Sequence, residues 1–382
     1  MGHFKHFQKE YLVVSGIFIG IAFVFFVFDR SSSPLYVASD QEAALSLIKE
    51  EKIQHISPPE SVKAIYMTSW VAGTGYWRED LAGFIDSTEL NAVVIDVKDY
   101  TGRISFEVDD SYINELGSVE RRIPDIKNFI KELHDKNIYV IARISVFQDP
   151  YFVKIHPELA VKKKDGSVWK DYKGIPWIDP AAEDFWAYIV RVARASEKAG
   201  FDELNFDYIR FPSDGNMKNI AYDYWDETTP SAEVMSGFFA YLRRELGDVG
   251  VPLSADLFGM TTVNYDDLNI GQVLENAAPY FDYIAPMVYP SHYPTGFAGF
   301  KNPAVHPYQI VNQAMTVASE RLIAASSTPS KLRPWLQDFD LGADYDAVMI
   351  RKQMQAVYDS GLTSWMVWDA SNKYTRGAYQ GE

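Results

Sequence analysis

Residues 201–211 read Phe-Asp-Glu-Leu-Asn-Phe-Asp-Tyr-Ile-Arg-Phe and are closed by Pro212. In an extended strand, period-two alternation sends Phe206 and Tyr208 to one face and Asn205 and Asp207 to the other. Ahead of this run, Asp179-Pro180 signals a helix start. Phe185, Ile189, Val192 and Ala193 then share one helical face, and Gly200 supplies the stop. A helix that feeds a strand, with a polar pair on one strand face, is the unit that decides the fold.

The same unit recurs in both directions. Apolar runs of strand length appear at 62–70, 91–99, 138–147, 201–211, 251–259, 281–290, 332–339 and 363–370. Helical spacing falls between them. Ile126, Phe129, Ile130 and Leu133 form one face. Val234, Phe238 and Leu242 form another after Thr229-Pro230, with Gly247 at its close. Val348, Met354 and Val357 belong to a third that ends near Gly361. Strands that alternate with helices pair in parallel through crossover helices. Eight such units predict an α/β protein of the (β/α)8 TIM-barrel class. No glycine-rich dinucleotide turn follows the first strand, which removes an open doubly wound sheet.

Composition narrows the chemistry. Of 382 residues, 47% are hydrophobic and 15% aromatic, which excludes a disordered chain. A net charge of −16 excludes a nucleic-acid partner. With no cysteine, thiolate metal sites, disulfides and cysteine nucleophiles are all excluded. The seven histidines supply no pair at metal spacing on a strand, so neither a metal nor a cofactor is expected. A G-x-S-x-G elbow is absent. Phosphate-binding barrels usually carry glycine-rich loops after strands seven and eight, unlike Gln337-Asp338-Phe339 and Asp369-Ala370-Ser371 here.

The N-terminus differs from the rest. Tyr11 to Phe28 carries no charge, follows Lys5 and Lys9, and nearly matches the span of a hydrocarbon core of ~30 Å. Residues 1–30 therefore read as a single-pass signal anchor with a cytoplasmic N-terminus, the alternative being a cleaved signal peptide. Residues 31–61, from Ser31-Ser32-Ser33-Pro34 to Ser57-Pro58-Pro59, read as a tether. The barrel is assigned to 62–376.

Barrels of this class place chemistry at the C-terminal strand ends. In order, those ends carry Tyr66 and Trp70, then Asp96, Lys98 and Asp99, then Arg143, then Asn205, Asp207, Tyr208 and Arg210. Asp256 follows, then Tyr289 with His292 in the next loop, Gln337 with Asp338, and Trp368 with Asp369. Charges set in apolar strands are costly unless paired or used. Loops 148–178, 213–228 and 291–306 are rich in aromatics, including Tyr151, Phe152, Trp169, Tyr172, Trp177, Tyr222, Tyr224, Trp225, Tyr293, Phe297 and Phe300. Such rings suit the C–H faces of sugars.

Six stretches carry a family resemblance: LNFDYIRFP, NAVVIDVKD, the IAR of strand three, DYIAPMVYPSHY, PWLQDF and WMVWDAS. Together they resemble a bacterial family of glycoside hydrolases with a (β/α)8 barrel, a domain of unknown function, over about Val62 to Arg376. The resemblance implies cleavage of a polysaccharide or oligosaccharide by two carboxyl groups, one as acid and one as nucleophile or base. Asp207 matches a strand-four nucleophile of retaining barrel hydrolases. Asp256 lies on the neighbouring strand, where the α-amylase-like group has its acid. That group places an arginine where this chain has Asn205, and prefers glutamate where it has Asp256, so Asp338 is a rival acid. Either Arg143 or Arg210 is expected to keep Asp207 ionised. A carbohydrate-binding barrel without turnover is the competing class.

The anchor has a direct consequence. Protease added to intact spheroplasts should remove the barrel; complete protection would place residues 31–382 inside the cell.

Overall fold

The computed structural model describes residues 54–381. Its eight principal strands are β1 (Lys63–Met67), β2 (Ala92–Lys98), β3 (Tyr139–Ser145), β4 (Glu203–Asp207), β5 (Leu253–Phe258), β6 (Tyr283–Met287), β7 (Trp335–Gln337) and β8 (Trp365–Trp368). All are parallel and close into a barrel in chain order. Each lies within one of the apolar runs read from the sequence. The Tyr11–Phe28 run falls outside the described residues. Among those residues, no helix is long and apolar enough to cross a membrane.

Strand alternation sorts the side chains into two layers. Ile65, Val93, Val140, Leu204, Phe206, Ala255, Leu257, Ile284, Leu336 and Val367 face the surrounding helices. Ala64, Tyr66, Ala92, Val94, Tyr139, Ile141, Ala285, Trp335 and Met366 fill the barrel. Phe206 therefore packs outward and Asn205 and Asp207 turn inward, as the alternation requires.

The helices follow their sequence signals with local departures. Helix Glu183–Ala199 buries Phe185, Ile189, Val192 and Ala193 and ends at Gly200, whose φ of +111° suits a residue without Cβ. It begins later than Asp179-Pro180, because Asp179 instead accepts from the backbone N–H groups of Ala181, Tyr224 and Trp225. Ile126–His134 buries the predicted Ile126, Phe129, Ile130 and Leu133. In Ala347–Asp359, Met354 and Val357 are buried while Val348 is exposed. A short antiparallel ribbon, Lys162–Lys163 with Ile220–Ala221, joins the long loops after β3 and β4. Period-two reading did not find it, because two residues are too short for a pattern.

The N-terminal end of the barrel is closed by charge. Arg333 Nη1 donates to both oxygens of Glu203, at 3.0 and 2.8 Å, and its guanidinium lies 3.7 Å from the Tyr283 ring. Tyr139 Oη donates to Glu203 at 3.0 Å. Removing one partner of a buried pair costs about 3–5 kcal/mol, because the remaining charge is left uncompensated. Arg333→Met should lower unfolding free energy by that amount in urea titrations, and adding Glu203→Gln should recover much of it. A loss below ~1 kcal/mol for Arg333→Met would show that the pair does not hold the barrel closed.

Candidate active site

Strand register brings the central groups together. Asp96 on β2 sits opposite Arg143 on β3, and Arg143 opposite Asn205 on β4. Asn205 in turn pairs with Ser254 on β5, two residues before Asp256. All four side chains point into the barrel at its C-terminal end.

Arg143 is the hub. Its Nη1 lies 2.6 Å from Asp96 Oδ1. Both its Nε, at 3.1 Å, and its Nη2 donate to Asp207 Oδ2. Nε also stands 3.8 Å from Asp256 Oδ2. The guanidinium lies 5.0 Å from the Trp368 ring and 5.7 Å from that of Tyr66, two rings stacked at 3.8 Å. Tyr66 Oη donates to Asp96 Oδ2. One cation thus serves three buried carboxyl groups. Were all three ionised, two negative charges would stay uncompensated away from water, which is prohibitive.

Asp256 resolves the conflict. Burial, and then the charge of Asp207, push its pKa up to about 8 against the opposing effects of Arg143, Asn205 and Trp335. At neutral pH it holds a proton. Its Oδ1 accepts from Asn205 Nδ2 at 2.9 Å and Trp335 Nε1 at 2.8 Å, which leaves Oδ2 for that proton. Burial also raises Asp96, partly offset by Arg143 and by the Tyr66 hydrogen bond. Asp207 Oδ1 accepts the backbone N–H of Tyr208 at 2.6 Å.

Tyr208 itself has a φ of +53°. For a bulky non-glycine residue this conformation is costly and marks strain. It ends β4 four residues before the Phe211 end expected from the sequence. The Tyr208 ring leaves the strand alternation and sits edge-on to Trp177 at 5.8 Å.

The other predicted site residues divide into groups. Tyr289, His292, Asp338, Trp368 and Asp369 line a groove of about 630 Å³ beside the cluster. Burial pushes Asp338 up to about 6, but its Oδ2 accepts from the Thr375 N–H and Tyr379 Oη rather than from Arg143. Asp369 accepts from Ser371. Gln337 is fully buried and accepts from Ser291, securing the loop after β6. Arg210 donates to the Phe211 carbonyl and Ser213 and lies over Trp177, so among the described residues the cation bonded to Asp207 is Arg143. Trp70 sits on the rim over Arg122.

Lys98 departs from expectation. An extra residue between Asp96 and Lys98 shifts the register, so that Lys98 falls opposite Ile144, a residue of the helix layer. Its amine is fully buried there, 2.9 Å from Asp149 and 2.6 Å from the Ser145 carbonyl. It is a structural ion pair beneath the loops, outside the cleft.

The aromatic loops also differ from their reading as cleft walls. Phe152, Trp169 and Trp177 are buried, Tyr222 and Trp225 pack on Phe211, and Phe300 stacks on His306. Only Tyr172 and Tyr224 of those loops remain well exposed. Conversely, Trp335, a direct partner of Asp256, was missed. Counting back by two from Gln337 places it on the inner face.

The chain matches the model of a family described as "putative glycosyl hydrolase domain" over residues 64–374. No curated protein matches it. Among solved structures, it is similar to a hypothetical protein from Ruminiclostridium thermocellum, at 35% identity, 50% of this chain, 96% of that chain and a TM-score of 0.47. It is also similar to the PgaB (BpsB) glycoside hydrolase domain from Bordetella bronchiseptica, at 14% identity, 82% and 95% coverage and a TM-score of 0.60. The alpha-L-fucosidase isoenzyme 2 from Paenibacillus thiaminolyticus follows at 10% identity, 83% and 48% coverage and 0.56. The last two likenesses are likenesses of fold.

The raised Asp256 carries a stability signature. The folded state keeps a proton that an unfolded aspartate releases near pH ~4. This contribution is complete below that pH and is lost as pH rises through about 8. Asp256→Asn should therefore gain on the wild type between pH 5 and pH 9, by on the order of 4 kcal/mol. Parallel melting curves against pH for the two proteins would show that Asp256 ionises without penalty.

Proposed function

Because this chain belongs to the putative glycosyl hydrolase domain family, we propose that it hydrolyses a glycosidic bond of an extracellular or cell-envelope polysaccharide through Asp207 and Asp256. The observation that carries this reading is the asymmetry of the two carboxyl groups. One is doubly bonded by Arg143; the other stands 3.8 Å from that cation, deeply buried beside Asp207, which pushes it toward its protonated form. Two-carboxylate hydrolysis needs that division of labour.

In the proposed reaction an Asp207 oxygen attacks the anomeric carbon while Asp256 gives its proton to the departing glycosidic oxygen. The C–O bond breaks and a glycosyl-aspartate ester forms. Asp256, now ionised, takes a proton from water as the water oxygen attacks the same carbon, releasing the sugar and restoring Asp207. Arg143 holds Asp207 in position, and its charge steadies Asp256 when the latter is ionised. Asp207 and Asp256 lie on adjacent strands, which run ~4.8 Å apart. That suits the ~5–5.5 Å carboxyl separation of a retaining mechanism. The stacked Tyr66 and Trp368 provide an apolar floor for the sugar ring. The Tyr11–Phe28 run would tether this activity to the outer side of the membrane. The fold of the Bordetella domain, itself named a glycoside hydrolase domain, agrees with this reading.

The test starts with the purified protein, bacterial exopolysaccharides and wall glycans, with products read by mass spectrometry. Asp207→Asn should keep the fold and lower turnover roughly a thousandfold or more. Asp256→Asn should suffer most on poor leaving groups and least on activated aryl glycosides, which need little protonation. If Asp338→Asn shows that dependence instead, the acid moves to β7. Wild-type rates for Asp207→Asn on a confirmed substrate would overturn the mechanism, and glycan binding without product would favour a binding barrel.

A further inference from the structure

Arg122, outside the carboxylate cluster, has no evident part in catalysis and yet is unusually well built in. Its side chain is buried, and every N–H it can offer is taken. Nε donates to Glu120 at 3.0 Å, and Nη1 to Ser69 at 3.0 Å and Asp99 at 2.6 Å. Nη2 donates to Thr101 at 3.0 Å and to Glu120. No donor is left for a ligand. What the guanidinium does present is its face, 4.6 Å from the Trp70 ring.

Trp70 is 58% exposed despite its size. Its short helix, Ser69–Ala72, is pressed onto the Arg122 segment so closely that a Cβ on Gly73 would stand 2.0 Å from the Arg122 carbonyl oxygen. Thr68, at the helix start, is tied to Asn372 beyond β8. The indole is thus fixed on one face by a saturated arginine and open to water on the other. Tyr100, 58% exposed, belongs to the Asp99–Thr101 turn that grips Arg122, and Tyr76, 72% exposed, begins the next helix.

We propose that Trp70, backed by Arg122, is a stacking platform for a polysaccharide strand, at a distance from the bond that is cut. This rests on the glycosidase reading and extends it to a polymeric substrate held along the rim. Two observations select the occupant. Trp70 lies four residues beyond Tyr66, which donates to Asp96 in the cluster, so at most ~14 Å of backbone separates Trp70 from that residue at the edge of the cluster. The chain's net charge of −16 disfavours polyanions, so the strand is uncharged or cationic. A ring stacked on a sugar replaces water on both apolar faces, and the rigid backing removes the entropy cost of ordering the indole.

Native affinity gels of the full-length chain test this with three soluble polymers: a neutral β-glucan, a partly deacetylated hexosaminan and a polyuronate. Wild type and Asp207→Asn should be retarded alike by the glucan or the hexosaminan. Trp70→Ala should bind roughly tenfold more weakly, and Trp70→Phe should keep most of the binding. Retardation by the polyuronate alone, by no polymer, or undiminished in Trp70→Ala would overturn the platform. The two claims separate cleanly: if Asp207→Asn binds and still turns over, the catalytic assignment fails while the platform stands. On cleaved oligosaccharides, Trp70→Ala should raise KM for long chains far more than for short ones. Equal effects on short and long chains would also count against it.

Discussion

A single buried guanidinium holds three carboxyl groups in the mouth of this barrel. Arg143 bonds Asp96 and Asp207 and stands close to Asp256. Among groups this deeply buried, that shortage of positive charge is met by a proton. The proton settles on Asp256, the group with the weakest claim on the arginine and the deepest burial. The proposed chemistry follows from this imbalance: a positioned carboxyl group faces a protonated one.

The surrounding fold exists in a form that keeps this arrangement exact to a residue. Asp96, Arg143 and Asn205 are register partners across three strands, and a slip by one residue would turn any of them toward the helix layer. Two local irregularities border the cluster. The extra residue after Asp96 ends its strand's inward alternation and sends Lys98 outward to Asp149. The left-handed Tyr208 ends β4 directly after Asp207 and aims its own N–H at that carboxylate. Strain of this kind persists only where neighbours impose it. Here the Trp177 edge contact and the pinned loops beyond β3 and β4 supply the constraint.

Much of this was legible in the sequence, for reasons that also define what was not. Eight apolar runs with helical spacing between them have few solutions other than a closed barrel, and alternation alone turned Asn205 and Asp207 inward. The same logic applied to Trp335 places it beside Asp256. Alternation failed at Lys98 because a bulge leaves no mark in residue type. It failed in the aromatic loops because a tryptophan that fills a loop's own core, such as Trp169, reads like one that lines a cleft. Asp179 signals a helix cap equally well whether it caps the helix or gathers the Tyr224 and Trp225 N–H groups. Asp338 and Asp256 are alike in type but not in place: Asp256 lies within β5 on its inner face, whereas Asp338 follows the end of β7 with the outward parity of Leu336, and their partners differ accordingly, Thr375 and Tyr379 against Arg143, Asn205 and Trp335.

The protonation of Asp256 is the point on which the account turns, and it is directly observable. With 13Cγ-labelled aspartate, the Asp256 resonance, assigned by its loss in an Asp256→Asn variant, reports its state without any substrate. The account predicts a protonated carboxyl at pH 6 that titrates near pH 8. A carboxylate signal already complete at pH 6 would contradict it.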